Sequence, residues 1–518
     1  MFNNNSLEME VASTINVFPE SRQEQPTSVP LSIIDNTVAD FARCAAVWYY
    51  DPPSSAEHAL SPSHLQASLS KTLNHYRPWC GRLSYAIPKP NGKHTERYQR
   101  IWITYNSPTD IGIPFITATS PRKPSDFIPS TTERAASIKA WDGLKSPSKE
   151  LFPTTKLSIS EQPDAPNAII QFTTFSCGST AIAIETHCLA DAVCLSNFAK
   201  DWSLVSRSIF NNAPIPTISL IFDPQRLDSF AAGDIDANIP DEGIQKRAWD
   251  LPQHRYDWYI QSPTTPWPTD VPSDLDPSWE LSSSIPTPWE QWDTTAPCLQ
   301  RVLHFSSKEI SNIFDLATKH LGPGTKISKH DALLAHIWYR INEARGIEVG
   351  EKVYLDMTFG LRARVSPPLG DNFLGSPITH AAIPFPESCS SSTPDLGQVA
   401  TTIRSTLARF DGKAIGELLH GNAYEVAPQR LWHCCLGREH VLLTTWVHAG
   451  VHDVDFGVAG LRYVEAAMPA CDGLVVVMEA PGEKKGSWIK NGVDVTVFLE
   501  EGAMRRMMDD PALWGGSS

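Results

Sequence analysis

The order of apolar and polar positions divides the chain into elements before any other feature is considered. Leu65, Leu69, Leu73 and Tyr76 recur at helical spacing, which predicts a helix that stops at Arg77-Pro78, where proline disfavours continuation. Gly81-Arg-Leu then opens a strand. Ala168–Phe175 and Thr180–Thr186 are short apolar and β-branched runs around Gly178, and predict two joined strands. Ala192 to Trp202 predicts a helix that buries Val193, Phe198 and Trp202. Ser307–Leu321 and Lys329–Ala344 have helical spacing, and Ser328 is placed as the N-cap of the second, with Asp331 three positions on. Leu474–Met478 and Val493–Phe498 predict strands, and Ala503–Asp510 a closing helix. Strands and helices interleave throughout, which predicts a mixed α/β fold.

Two segments depart from this texture. Residues 1–30 are polar and contain proline, and predict a flexible N-terminal segment. Residues 211–300 are rich in Pro, Trp, Asp and Ser, as in Ser262-Pro-Thr-Thr-Pro-Trp-Pro-Thr-Asp270. That composition resists regular structure and suits a long crossover between domains, with its tryptophans packed against a surface. The expected organisation is therefore an N-terminal domain over 31–210, the crossover over 211–300 and a C-terminal domain over 301–518.

Composition narrows the partners. A chain of 518 residues is too long for one core. The hydrophobic share of 41% and charged share of 19% are those of a folded soluble protein. A formal charge of -15 argues against nucleic acid and against an anionic membrane surface. No stretch approaches the ~20 apolar residues of a membrane span. The opening MFNNNSLEMEVAS has neither basic nor apolar leader region, so a cytoplasmic location is expected. The ten cysteines form no C-x-x-C pair and are expected to be reduced. The cluster His433-Cys434-Cys435 pairs adjacent cysteines, which chelate poorly together, so no metal is expected.

The candidate chemistry lies at the end of the second predicted strand. In Phe175-Ser-Cys-Gly-Ser-Thr-Ala-Ile-Ala-Ile-Glu-Thr-His-Cys-Leu-Ala-Asp191, His187 and Asp191 are four residues apart. A neutral imidazole suits removal of a proton from an alcohol or amine near pH 7, although an isolated histidine in such a place is more often a satisfied core residue. Asp191 is also placed to cap the helix that follows. A second element, Asp455-Phe456-Gly457, is shared with kinases, but no Gly-rich loop, Val-Ala-Ile-Lys or His-Arg-Asp element accompanies it.

Taken together, these motifs make the chain similar to the BAHD acyltransferases. Leu31-Ser-Ile-Ile-Asp35, Ser68-Leu to Gly81-Arg-Leu83, His187–Asp191, Ser328-x-x-Asp331-Ala-Leu333, Gly360-Leu-Arg-Ala-Arg-Val-Ser-Pro-Pro-Leu369, Thr444-Thr-Trp446, Val451-His-Asp-Val-Asp-Phe-Gly457 and Asp472-Gly473 occur in the family's order. The resemblance implies two chloramphenicol-acetyltransferase-like domains, each a mixed β-sheet flanked by helices, with a channel between them. It also implies that His187 is the general base of an O-acyltransferase using acetyl-CoA or another acyl-CoA as cosubstrate. The acceptor would be a hydroxyl of a small secondary metabolite, as in filamentous-fungal members, and the enzyme a monomer.

By the same resemblance Asp191 pairs with Arg362 rather than relaying a proton. Asp455, Phe456 and Gly457 support the coenzyme A side from a distance. Thr444 and Trp446 line the reaction centre as oxyanion donors, and Ser328 and Lys329 are assigned to coenzyme A. The chain departs from the pattern at Thr186, Ala192, Gly360, Val458 and Ala459. The last two replace an aromatic-glycine pair, which is the main support for one alternative, a member repurposed for a cyclisation or rearrangement; a non-catalytic binding protein is a second. Condensation-type transfer from a carrier protein is a third.

Overall fold

The computed structural model describes residues 9–515 except 22, 24, 40–42, 54–59, 153–158, 160–161, 163, 187, 262–264, 267–270, 349, 388, 390–394, 458–459 and 483–487. Two large mixed sheets organise the described residues. A six-stranded sheet runs in the order Glu10–Val17, Ile113–Ser120, Ala168–Phe175, Thr180–Thr186, Cys44–Tyr50, Leu461–Ala466. A seven-stranded sheet runs Ile378–Pro384, Tyr354–Gly360, His440–Thr445, Leu474–Glu479, Val493–Glu500, Cys298–Phe305, Ala140–Asp142. The α/β class and the predicted elements are present. Ala168–Phe175 and Thr180–Thr186 match residue for residue. The helix expected to leave the site extends further than predicted, over Ala192–Phe210.

The sheets do not divide at the crossover. Leu461–Ala466, late in the chain, pairs antiparallel with Cys44–Tyr50. Ala140–Asp142, from the first half, pairs antiparallel with Cys298–Phe305. Each half thus adds a strand to the other's sheet. The start of the chain also differs from expectation, because Glu10–Val17 pairs with Ile113–Ser120 and Thr27–Pro30 with Ile101–Tyr105. Most of the first strand's side chains are exposed, so backbone hydrogen bonds hold it rather than apolar burial. A polar edge strand of this kind leaves no hydrophobic alternation to read.

Alternation along the strands decides what each sheet face covers. In the seven-stranded sheet Val441, Leu443, Val475 and Val477 point to one core, shared with the helices Ser307–Thr318, Lys329–Arg345, Leu396–Ala408 and Gly412–Ala423. Leu442, Trp446, Leu474, Val476 and Met478 point the other way, into a second core with Trp48, Ile182, Ile184, Phe198 and Trp202. This second face joins the two halves. The crossover lies over the structure as its tryptophans predicted: Trp289 and Trp292 are buried, and the Trp258 ring is 5.0 Å from that of Trp432. It also holds two short helices, Pro224–Asp228 and Glu242–Trp249, that its composition did not predict. Among the described residues no helix is long and apolar enough to cross a membrane.

Candidate active site

The strand Thr180–Thr186 is buried along its whole length and is hydrogen-bonded on both sides, to Ala168–Phe175 and Cys44–Tyr50. Residue 187, the expected base, follows it directly and lies outside the described residues. The chain then turns through Cys188, at φ 38, with Cys188, Leu189 and Ala190 buried. Asp191 stops the turn. It is the N-cap of Ala192–Phe210, and its Oδ1 accepts the Cys194 N–H at 3.0 Å. A cap of this kind contributes about 1 kcal/mol to the helix.

The other oxygen of Asp191 faces Arg362, whose Nη1 donates to it. Arg362 Nη2 donates to the carbonyls of Phe373 at 3.1 Å and Gly375 at 3.3 Å. The Gly375 carbonyl also accepts the Asp191 N–H at 3.3 Å. Both side chains are buried. Burial opposes the charge on Arg362, yet the Asp191 carboxylate outweighs it and holds the guanidinium above its ordinary pKa. One arginine therefore ties the helix start to the loop after Pro367-Pro368.

Asp35 secures the same loop from the far side, a role the sequence motif did not reveal. Its Oδ1 accepts the Ser376 N–H at 2.7 Å, and its Oδ2 accepts the Ser32 hydroxyl at 2.7 Å. Burial is the largest influence on this carboxyl and, against its hydrogen bonds, raises its pKa to about 6. Because the folded value exceeds the unfolded one, folding favours the protonated form. Its stabilising effect is present in full below the unfolded value near 4, and is lost as pH rises through about 6. The loss is about 3 kcal/mol. In paired melting curves, Asp35→Asn should gain stability relative to wild type between pH 4 and 6 and hold a constant difference above that. A difference independent of pH would sink the assignment.

Thr444 and Trp446 lie on the sheet face that joins the halves. Thr444 is half-buried and registers with Val476. The Trp446 N–H donates to the Val477 carbonyl at 2.8 Å. Its side chain is buried in the same apolar cluster as Cys188, Leu189 and Ala190. Thr445, on the opposite face, has its hydroxyl 3.0 Å from His330 Nε2. His330 was missed in the sequence reading, as its position in the first turn of Lys329–Arg345 carries no motif of its own. Burial pushes its pKa down to about 4, so it is neutral at physiological pH.

Ser328 caps that helix, its Oγ accepting the Asp331 N–H at 3.1 Å and its own N–H donating to Asp331 Oδ2 at 2.7 Å. Lys329 Nζ donates to Ser311 Oγ at 2.8 Å. Both residues expected at coenzyme A are thus engaged within the protein.

Asp455-Phe456-Gly457 is not brought to Asp191. Asp455 Oδ2 accepts Arg207 Nη1 at 2.7 Å. Arg207 is sixteen residues beyond the cap on the same helix, roughly 24 Å along its axis. Phe456 is wedged edge-on between Tyr50 and Trp202, at 6.0 and 5.2 Å between ring centroids. The Gly457 N–H donates to Asp455 Oδ1 at 2.7 Å, with φ +83. Tyr50 OH and Trp48 Nε1 donate to the Val454 and Val451 carbonyls at 3.2 and 2.9 Å. The triplet therefore locks a loop onto the six-stranded sheet. The altered positions Val458 and Ala459 lie outside the described residues.

Comparison with known proteins identifies the family. A model of the Transferase family matches residues 7–247 and 258–513. Acyltransferase AFT15-1 of Alternaria alternata is 25% identical over 531 residues, covering 98% of this chain and 97% of the relative. Acyltransferase abl6 of Leptosphaeria maculans is 25% identical over 524 residues, covering 98% of each. The structure of F. graminearum TRI101 complexed with coenzyme A and deoxynivalenol superposes with a TM-score of 0.65 at 16% identity, covering 94% of this chain and 98% of that one. This chain belongs to the Transferase family, the BAHD acyltransferases, and is an acyltransferase.

Proposed function

We propose that the protein transfers an acyl group, acetyl in the simplest case, from coenzyme A to a hydroxyl of a small secondary metabolite. The observation that carries this reading is the Asp191–Arg362 pair. It occupies Asp191 with a structural task and leaves the residue four positions earlier to act as the base. TRI101, which shares the fold, was crystallised with both coenzyme A and a small-molecule acceptor.

In the proposed reaction His187 takes the hydroxyl proton as the acceptor oxygen attacks the thioester carbonyl. A tetrahedral intermediate forms, with its oxyanion held by Thr444 or Trp446. The carbon–sulfur bond then breaks, and His187 returns the proton to the leaving thiolate. Lys329 and Ser328 are the residues proposed beside coenzyme A. Asp455, Phe456 and Gly457 act by holding the loop, through the Arg207 ion pair, the turn that Gly457 closes on Asp455 and the ring contact with Tyr50. Fungal relatives that match across the whole chain and are named acyltransferases support the acyl transfer.

The test is release of free coenzyme A thiol from acetyl-CoA in the presence of a panel of hydroxylated metabolites, with saturable donor binding measured separately. Turnover with at least one acceptor is expected. Absence of both binding and turnover would overturn the reading. Conversion of a metabolite with no acyl donor present would favour a rearrangement instead. Intact-mass detection of an acylated protein would rule out direct transfer.

A further inference from the structure

The crossover meets the seven-stranded sheet at a cluster with no part in the proposed acyl transfer. His254 Nε2 lies 3.1 Å from Asp356 Oδ1, and His440 Nδ1 lies 2.9 Å from Asp356 Oδ2. One donor atom from each of the three residues lies within 4.8 Å of the others, and among the described residues this is the grouping that could hold a metal ion. Asp356 is 0% and His440 2% exposed, while the His254 side chain is 11% exposed. The cluster is thus closed on the sheet side and reached past His254.

The donor set is specific. Two imidazoles and one carboxylate suit a zinc ion rather than magnesium or calcium, which favour oxygen ligands alone. With zinc bonds of about 2.0–2.1 Å, tetrahedral ligand atoms stand about 3.3 Å apart. The observed separations, 3.1 Å from His254 Nε2 to Oδ1 and 2.9 Å from His440 Nδ1 to Oδ2, are hydrogen-bond contacts to the two carboxylate oxygens in turn, which an ion seated between the imidazoles would replace.

The surroundings match those of a metal site. Tyr256 OH is 3.3 Å from His440 Nε2, the nitrogen that would face away from the ion. The Cys435 N–H donates to Asp356 Oδ2 at 2.8 Å. Outer contacts of this kind fix tautomer and ring direction in metal-binding histidines. Each imidazole also stacks on a tyrosine: His254 on Tyr256 at 4.8 Å and 20°, and His440 on Tyr354 at 5.5 Å and 20°.

We propose that His254, Asp356 and His440 bind one zinc ion that clasps the crossover onto the first residues of the strands Tyr354–Gly360 and His440–Thr445. The ion is structural, since His440 stands at the opposite end of its strand from Thr444 and Trp446. Its three ligands come from separate parts of the chain, so no spacing in the sequence marks them.

The experiment uses the full chain, purified without chelator or metal-affinity tag, and zinc or cobalt alone as the probe. Elemental analysis is expected to find about one zinc per chain after zinc dialysis, and cobalt is expected to give the visible absorption of a tetrahedral site. His254→Gln removes the ligand at the mouth while keeping a hydrogen-bonding side chain, and its fold can be verified by circular dichroism. Its zinc affinity should fall at least about tenfold, and zinc should raise the melting temperature of wild type but not of this variant. A folded wild type that takes up no zinc, with the three residues acting only as a hydrogen-bonded group, would overturn the proposal. So would zinc binding unchanged in His254→Gln.

Discussion

Replacing His187 by alanine is expected to lower the turnover of acyl transfer by a factor on the order of 10²–10⁴ while leaving the melting temperature within a degree or so of wild type. Position 187 stands between two elements fixed independently of its side chain. Before it, Thr180–Thr186 is buried and paired on both edges. After it, Asp191 caps the helix and is held by Arg362. Removing the imidazole therefore removes a proton acceptor from a site whose backbone persists. The loss should fall in kcat, with the KM for acetyl-CoA changed by only a few-fold, because the base acts in the transition state and not in donor binding. The pH–rate profile should lose its rise toward neutral pH. Retention of a tenth or more of wild-type kcat would eliminate His187 as the base.

Arg362→Ala is expected to be strongly destabilising. It leaves the buried Asp191 carboxylate without its cation and removes the donors to the Phe373 and Gly375 carbonyls. Breaking a buried pair by removing one partner costs about 3–5 kcal/mol, most of it the uncompensated charge. A comparison of urea midpoints distinguishes that cause from simple loss of packing. In Asp191→Asn/Arg362→Ala the charge is absent, while the amide oxygen can still accept the Cys194 N–H. The double variant should therefore be more stable than Arg362→Ala alone. If it is equally damaged or worse, the desolvated charge is not the source of the effect. Arg362→Lys, which keeps the cation but not the forked geometry, should fall between wild type and alanine.

Much of the site's frame was legible in sequence because its signals are local. A cap must sit one residue before its helix, and Asp191 and Ser328 do. A strand buried on both faces is continuously apolar, as Thr180–Thr186 is. The Asp191–Arg362 pair was legible through resemblance alone, since 171 residues separate the two. Asp35 was noticed as a motif, but its grip on Ser376 spans 341 residues and has no counterpart in the spacing around it. His330 and Asp356 sit in stretches whose periodicity describes helix or strand and nothing more, and His254 sits in the irregular crossover.

The sequence by itself determined most of the element types, the caps at Asp191 and Ser328, the crossover's composition and the motif that names the family, because these are set by neighbours within a few residues. Only the tertiary structure decided which strands share a sheet. Leu461–Ala466 joins Cys44–Tyr50, and Ala140–Asp142 joins Cys298–Phe305, through main-chain hydrogen bonds that any residue but proline can donate. The same long-range packing places Trp446 in one core with Cys188, Leu189 and Ala190 and brings His254 to Asp356 and His440. Backbone pairing and contact between distant segments leave no periodic trace in side-chain order, so these arrangements emerge only when the chain is closed on itself.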